Sequence, residues 1–175
     1  MFSKIKEFFT QKQEEDKSLK AAFSVMLAFS ITALLASFVL SVEEIHLIKN
    51  PDAILSCSFN LVLNCSTVMQ TWQASVFFGI PNMFFGLMAF AVLVTVAVAA
   101  LWGGARFNKM FLGLANIGVL FGTFFAYWLF FNSVYVIGVL CPWCLVVTTS
   151  STLILAAITF ITLRENVWGL TKQAS

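Results

Sequence analysis

Hydropathy along this chain changes in blocks, not residue by residue. From Ala21 to Val42 there is no charged side chain, and three further charge-free runs cover about Ala74 to Trp102, Met110 to Phe131 and Leu140 to Leu163. A helix needs roughly 20 apolar residues to cross the ~30 Å hydrocarbon core of a bilayer, so each run predicts one membrane-spanning helix. The breaks between them differ in kind. Residues 43–73 form the one substantial polar connection, Gly103-Gly104 leads a short turn to Arg106 and Lys109, and Asn132 to Gly138 forms another turn. The expected fold is an all-α integral membrane protein, a four-transmembrane-helix bundle with an outer loop or half-helix between the first two spans. Residues 1–20 and 166–175 are expected as cytoplasmic tails, with 21–165 as the membrane domain.

Composition narrows this further. The chain has 175 residues, 60% hydrophobic and 10% charged, with a mean hydropathy of +0.93. A soluble domain of that size lacks the polar surface to cover itself, whereas lipid covers an apolar one. The net charge of +2 gives no reason to expect nucleic acid. In the first twenty residues Phe2, Ile5, Phe8 and Phe9 recur at helical spacing among lysines and acids. They suit either a short amphipathic segment on the membrane surface or a solvated tail. The long charged leader and long first run favour an uncleaved anchor over a signal peptide.

Charge placement sets the topology. Lys4, Lys6, Lys12, Lys17 and Lys20 precede the first run, Arg106 and Lys109 lie in the second link, and Arg164 and Lys172 follow the last run. Between the first two runs there is only Lys49, and the final turn has no basic residue. The positive-inside rule therefore puts both termini in the cytoplasm. The polar 43–73 link and the turn before Leu140 then face outside, where disulfides form and persist.

All four cysteines fall on that outer side, as Cys57/Cys65 and Cys141/Cys144. Cys141-Pro142-Trp143-Cys144 opens the last run. At a helix start, residues i and i+3 come within bridging reach, and Pro142 suits the first helical position. Unpaired N–H groups and the helix dipole there stabilise a thiolate. Cys57 and Cys65 would lie about 12 Å apart along a continuous helix, too far for a disulfide. If they pair, the segment must bend back, which predicts a bent, partly helical loop. Three chemistries remain open at this point: a redox relay, two structural disulfides, or a metal site. The C-x7-C spacing is atypical of zinc, no histidine lies near it, and the lone His46 reads as a surface residue beside Glu43 and Glu44. Inside the bundle, Gly118 and Gly122 with Gly113 offer a small face for helix packing, and Asn116 is expected to hydrogen-bond a neighbouring helix.

Cys57-x7-Cys65 in the first outer loop, Asn82 early in the next helix and the Cys141–Cys144 motif together resemble the vitamin K epoxide reductase (VKOR) family. More specifically, the chain resembles the family's bacterial disulfide-forming homologues, over about residues 21 to 165. The resemblance implies an oxidoreductase of the bacterial cell membrane that supports disulfide formation in secreted proteins. It implies a quinone (menaquinone or ubiquinone) at the outer side of the bundle, with Cys144 beside it and Cys141 as exchange partner. Cys57 and Cys65 become the pair that shuttles electrons from a thioredoxin-like, DsbA-like protein. Asn82 matches the family's quinone-binding Asn, and Thr71 stands where the family has Ser or Thr. Animal members have a Tyr where this chain has Thr148, which tells against epoxide reduction. Many bacterial members carry a fused thioredoxin-like domain, so here the partner is expected to be a separate protein. The disulfide-bond protein B family, another quinone-linked oxidase, has its cysteine pairs in the reverse order and uses an Arg near the quinone. Arg106 and Arg164 fall at the wrong end for that role.

Overall fold

In a computed structural model, the described residues are 2–50, 55, 57–58, 60 and 62–169. Among them the chain is almost entirely helical, and four helices are long and apolar enough to cross a membrane. Helix α1 is Phe2–Lys49, α2 is Cys65–Met69, α3 is Asn82–Leu101, α4 is Lys109–Asn132 and α5 is Pro142–Arg164. The four-span expectation therefore holds, but several boundaries move.

Helix α1 continues to Lys49, seven residues past the end of its charge-free run, and backward through the charged leader to Phe2. Lys and Glu are good helix formers, and no Pro or Gly interrupts this stretch to stop the helix. At 1.5 Å per residue, its 48 residues extend about 72 Å, over twice the hydrocarbon thickness. Both Glu43 and His46 thus belong to a helix, not to a loop, and His46 is exposed as expected. The second apolar run splits. Residues Trp72–Ser75 form a 3-10 turn, Gly79 adopts a positive φ of 73°, and Pro81 precedes the first turn of α3. Helix α4 ends not in a free turn but in a π-helical segment, Ser133–Ile137, closed by Gly138 at φ 75°. That left-handed conformation is one glycine adopts at little cost.

The core forms where α1 meets α3 and α5. Met26 and Ala33 of α1 pack with Leu93, Val96 and Ala97 of α3 and Ile154, Ile158 and Ile161 of α5. Helix α4 packs chiefly on α5, and it barely touches α3. Asn116 donates from Nδ2 to Thr159 Oγ1 at 3.2 Å and Thr162 Oγ1 at 3.1 Å, tying α4 to α5 as the sequence leads one to expect. The glycines behave differently from expectation. A Cβ on Gly86 would sit 3.1 Å from Ser37 Oγ, so Gly86 is where α3 approaches α1 closely. At Gly118 and Gly122 a Cβ would meet nothing within 4 Å. These two do not pack a helix pair; they leave space beside α4.

Candidate redox site

The cysteines come together at one end of the bundle through a short backbone link. Leu140 N–H donates to Val62 O at 2.8 Å, and Asn64 N–H donates to Leu140 O at 3.0 Å. This parallel bridge pairs Leu63 with Leu140, so the chain just before Cys65 is held to the residue before Cys141. Asn64 does more than donate to the bridge. Its Oδ1 takes hydrogen bonds from Ser58 Oγ at 2.8 Å, Ser66 Oγ at 2.6 Å and Thr67 N–H at 3.3 Å, which caps α2 and ties the neighbours of both loop cysteines to one atom.

With the loop folded this way, Cys57 and Cys65 form a disulfide with Cα atoms 5.7 Å apart. The bend and partial helix expected between them are present. Cys141 and Cys144 are free thiols, so the four cysteines do not form two disulfides. The decisive distance lies between the pairs: Cys65 Sγ is 3.4 Å from Cys141 Sγ. Cys57, Cys65 and Cys141 are all buried, packed with Leu40 and Leu47 of α1, Leu55 and Met69.

Cys141 is the N-cap of α5, and its sulfur accepts the backbone N–H of Cys144 at 3.4 Å. Pro142 occupies the first helical turn as its fixed φ allows. The Cys141 thiol is lowered from its ordinary range by the hydrogen bond from the Cys144 side chain, helped by backbone N–H groups of Cys144 and Trp143 and opposed by burial. The sulfur whose ionisation is favoured in this way is the one facing the loop disulfide. One turn on, Thr148 Oγ1 donates to Cys144 O at 2.8 Å and is buried at the position of the animal Tyr.

Cys141 and Cys144 also form part of the wall of a cavity of about 580 Å3. Its other walls come from α3 and α4, with Ser37 and Leu40 of α1 contributing and Thr71, Gln73 and Asn82 at its polar end. Gly118 and Gly122 lie in the α4 wall, which explains their open surroundings. Because α3 and α4 barely meet, the cavity is bounded there by a seam and not by a packed interface. Asn82 donates from Nδ2 to Gln73 O at 2.6 Å and accepts Val76 N–H at 3.3 Å, while Thr71 donates to Val68 O at 2.7 Å. Both side chains thus fasten the 68–76 segment in place while lining the cavity. Gln73 carried no signal in the sequence, yet it is buried and its Oε1 lacks a hydrogen-bond partner.

The model of the vitamin K epoxide reductase family matches residues 24–159, nearly the whole helical bundle. The chain belongs to the vitamin K epoxide reductase family. No curated protein gives a significant match. As a VKOR-family protein with four apolar helices and a disulfide-capable cysteine pair, it is a multi-pass membrane thiol oxidoreductase. The family is quinone-linked and works with thiol partners.

The VKOR-type site makes a clean prediction about which sulfurs exchange. In a Cys57→Ser, Cys144→Ser double variant, only the thiols separated by 3.4 Å remain. Mild oxidation is expected to join Cys65 to Cys141 nearly completely, as read by intact mass and peptide mapping. The Cys65→Ser, Cys144→Ser variant should cross-link Cys57 to Cys141 far more slowly. Equal rates for the two variants would contradict the assigned contact.

Proposed function

We propose that this protein is a thiol:quinone oxidoreductase of a bacterial cell membrane, with both termini cytoplasmic and all four cysteines on the outer face. Electrons enter from a reduced thioredoxin-like, DsbA-like protein, whose thiolate attacks the Cys57–Cys65 disulfide. They pass to Cys141/Cys144 and leave to a quinone, so that secreted proteins gain disulfides. The observation that carries this reading is the contact of Cys65 Sγ with Cys141 Sγ at 3.4 Å, with Cys144 on the wall of an apolar cavity.

The internal step follows from that geometry. The Cys65 thiolate attacks Cys141 of a Cys141–Cys144 disulfide, forming the Cys65–Cys141 bond and releasing Cys144. Cys57 then attacks Cys65, restoring the loop disulfide and releasing Cys141 as the thiolate that the helix N-terminus favours. Loop disulfide with free Cys141 and Cys144 is the state after this transfer, and it is the state described above.

A quinone fits the cavity on the chemistry of its lining. The walls are apolar, as an isoprenoid-type acceptor requires, and the polar end holds the unpartnered Gln73 Oε1. Asn82 has a second Nδ2 hydrogen free of its Gln73 bond and would donate it to a quinone oxygen. Thr71 would border the same ring. When bound, a quinone would supply a two-electron, two-proton acceptor; the chain's part is to hold it against Cys144, exclude water and deliver electrons through sulfur.

Anaerobic mixing tests the function directly. With a reduced DsbA-like protein and either menaquinone or ubiquinone analogues, the purified protein is expected to reduce one quinone for each partner dithiol oxidised to a disulfide. Oxidation of the partner without loss of quinone absorbance over many turnovers would sink the reading.

A further inference from the structure

Among the described residues, Glu44 is the only charged side chain that is buried. Its Oε2 has no hydrogen-bond partner. Burying even one carboxyl oxygen without a partner is costly, and leucine in its place would simply extend the packing of its neighbours. Those neighbours locate it. Leu40 and Leu47, one turn to either side on the same face of α1, both pack in the cluster that contains Cys57, Cys65 and Cys141. Cys144 packs against the same cluster.

Among the described residues, no other buried acid or base lies in the elements packed around that cluster. Helix α3 contains no Asp, Glu, His, Lys or Arg, and α5 has none before Arg164 at its far end. The elements around the cluster present only sulfur: Cys57 from the loop, Cys65 from α2, and Cys141 and Cys144 from the start of α5. On α1 itself, Glu43 is half-buried, and His46 and Lys49 are exposed. Asp52 lies outside the described residues.

We propose that Glu44 is the proton acceptor and donor of the sulfur relay, an inference that rests on the relay reading above. Each thiol must lose its proton before its sulfur can attack, and three of the four sulfurs are buried away from water. In the internal step, the Cys65 proton passes to the Glu44 carboxylate as the Cys65–Cys141 bond forms. The Cys141–Cys144 bond breaks and its electron pair leaves with Cys144. Glu44 then holds the proton on the helix face whose Leu40 and Leu47 pack in the sulfur cluster, and no outside oxidant or base is involved.

The test isolates this step from quinone. Fully oxidised protein, with both disulfides formed, is mixed with one equivalent of reduced thioredoxin-like partner. Acid quenching, alkylation and mass spectrometry then follow the arrival of electrons at Cys141/Cys144 as a function of pH. Glu44→Gln is expected to slow transfer roughly a hundredfold and to remove one inflection from the pH profile. Glu44→Asp should keep an inflection at a displaced pH and recover part of the rate. Glu44→Gln with the wild-type rate and profile would overturn the proposal, and so would a slower rate with the inflection intact, the mark of a structural role. If Glu44→Gln fails to fold, Glu44→Asp decides: a profile identical to wild type overturns it. Failure of the wild type to move electrons from the loop pair to Cys141/Cys144 would instead sink the relay.

Discussion

Replacing Cys144 by serine is expected to reduce quinone reduction on the order of a thousandfold or more, while leaving the Cys57–Cys65 disulfide in place. Electrons leave the proposed relay when a Cys141–Cys144 bond forms, and with one sulfur missing no such bond can close. Cys141 alone can only pair back with Cys65, 3.4 Å away, which returns electrons toward the loop. The loop disulfide does not depend on Cys144 for its geometry; Asn64 and the Leu140 bridge hold it. Cys144→Ser protein should therefore oxidise one equivalent of a reduced thioredoxin-like partner and then stop. Stopped-flow quinone absorbance measures the loss, and thiol counting on the partner measures the surviving single turnover. Sustained quinone reduction by this variant would remove Cys144 from the path. Loss of the single turnover as well would mean that the substitution had damaged the fold.

The sequence carried the parts of this site that are local in chain and hid those that depend on distant contacts. Four spans are legible because lipid demands charge-free runs of about the right length. The Cys141 cap is legible too, since Pro142 and a CxxC at the start of an apolar run leave few other arrangements. The contact between Cys65 and Cys141 crosses 76 residues and rests on two backbone hydrogen bonds that no side chain announces. In sequence Glu44 is one of two acids at the start of the polar connection, and only the tertiary fold buries it while leaving Glu43 partly exposed. The glycines were misleading for a related reason. A GxxxG step permits close helix packing but does not require it, and in α4 the same absence of side chains makes room for a cavity. Gly86, with no motif around it, packs against α1, and of the small face only Gly113 is close-packed, a Cβ there lying 3.3 Å from Val167 Cγ1.

That difference gives the second large expected effect. Gly122→Leu should raise the quinone KM on the order of 10- to 200-fold while leaving disulfide exchange among the four cysteines unchanged. A Cβ at this position would meet nothing within 4 Å, so the added side chain starts in open space and not against a neighbouring helix. It projects from the cavity wall of α4, among Ala115, Gly118 and Ala126, and takes volume from the space facing Cys144. Leucine is also a better helix former than glycine, so stability should rise or stay level, not fall. Quinone titration against the variant measures the KM change, and the oxidative joining of Cys65 to Cys141 in the double-serine background checks that the sulfurs still meet. A quinone KM within a factor of about two of wild type would place the acceptor elsewhere, because filling a hydrophobic pocket with even one extra methylene normally shifts binding by more. If cross-linking failed along with quinone binding, Gly122 would be acting on the fold. Loss of quinone affinity alone would tie this cavity to the acceptor, because the small residues of α4 line the same space as Cys144.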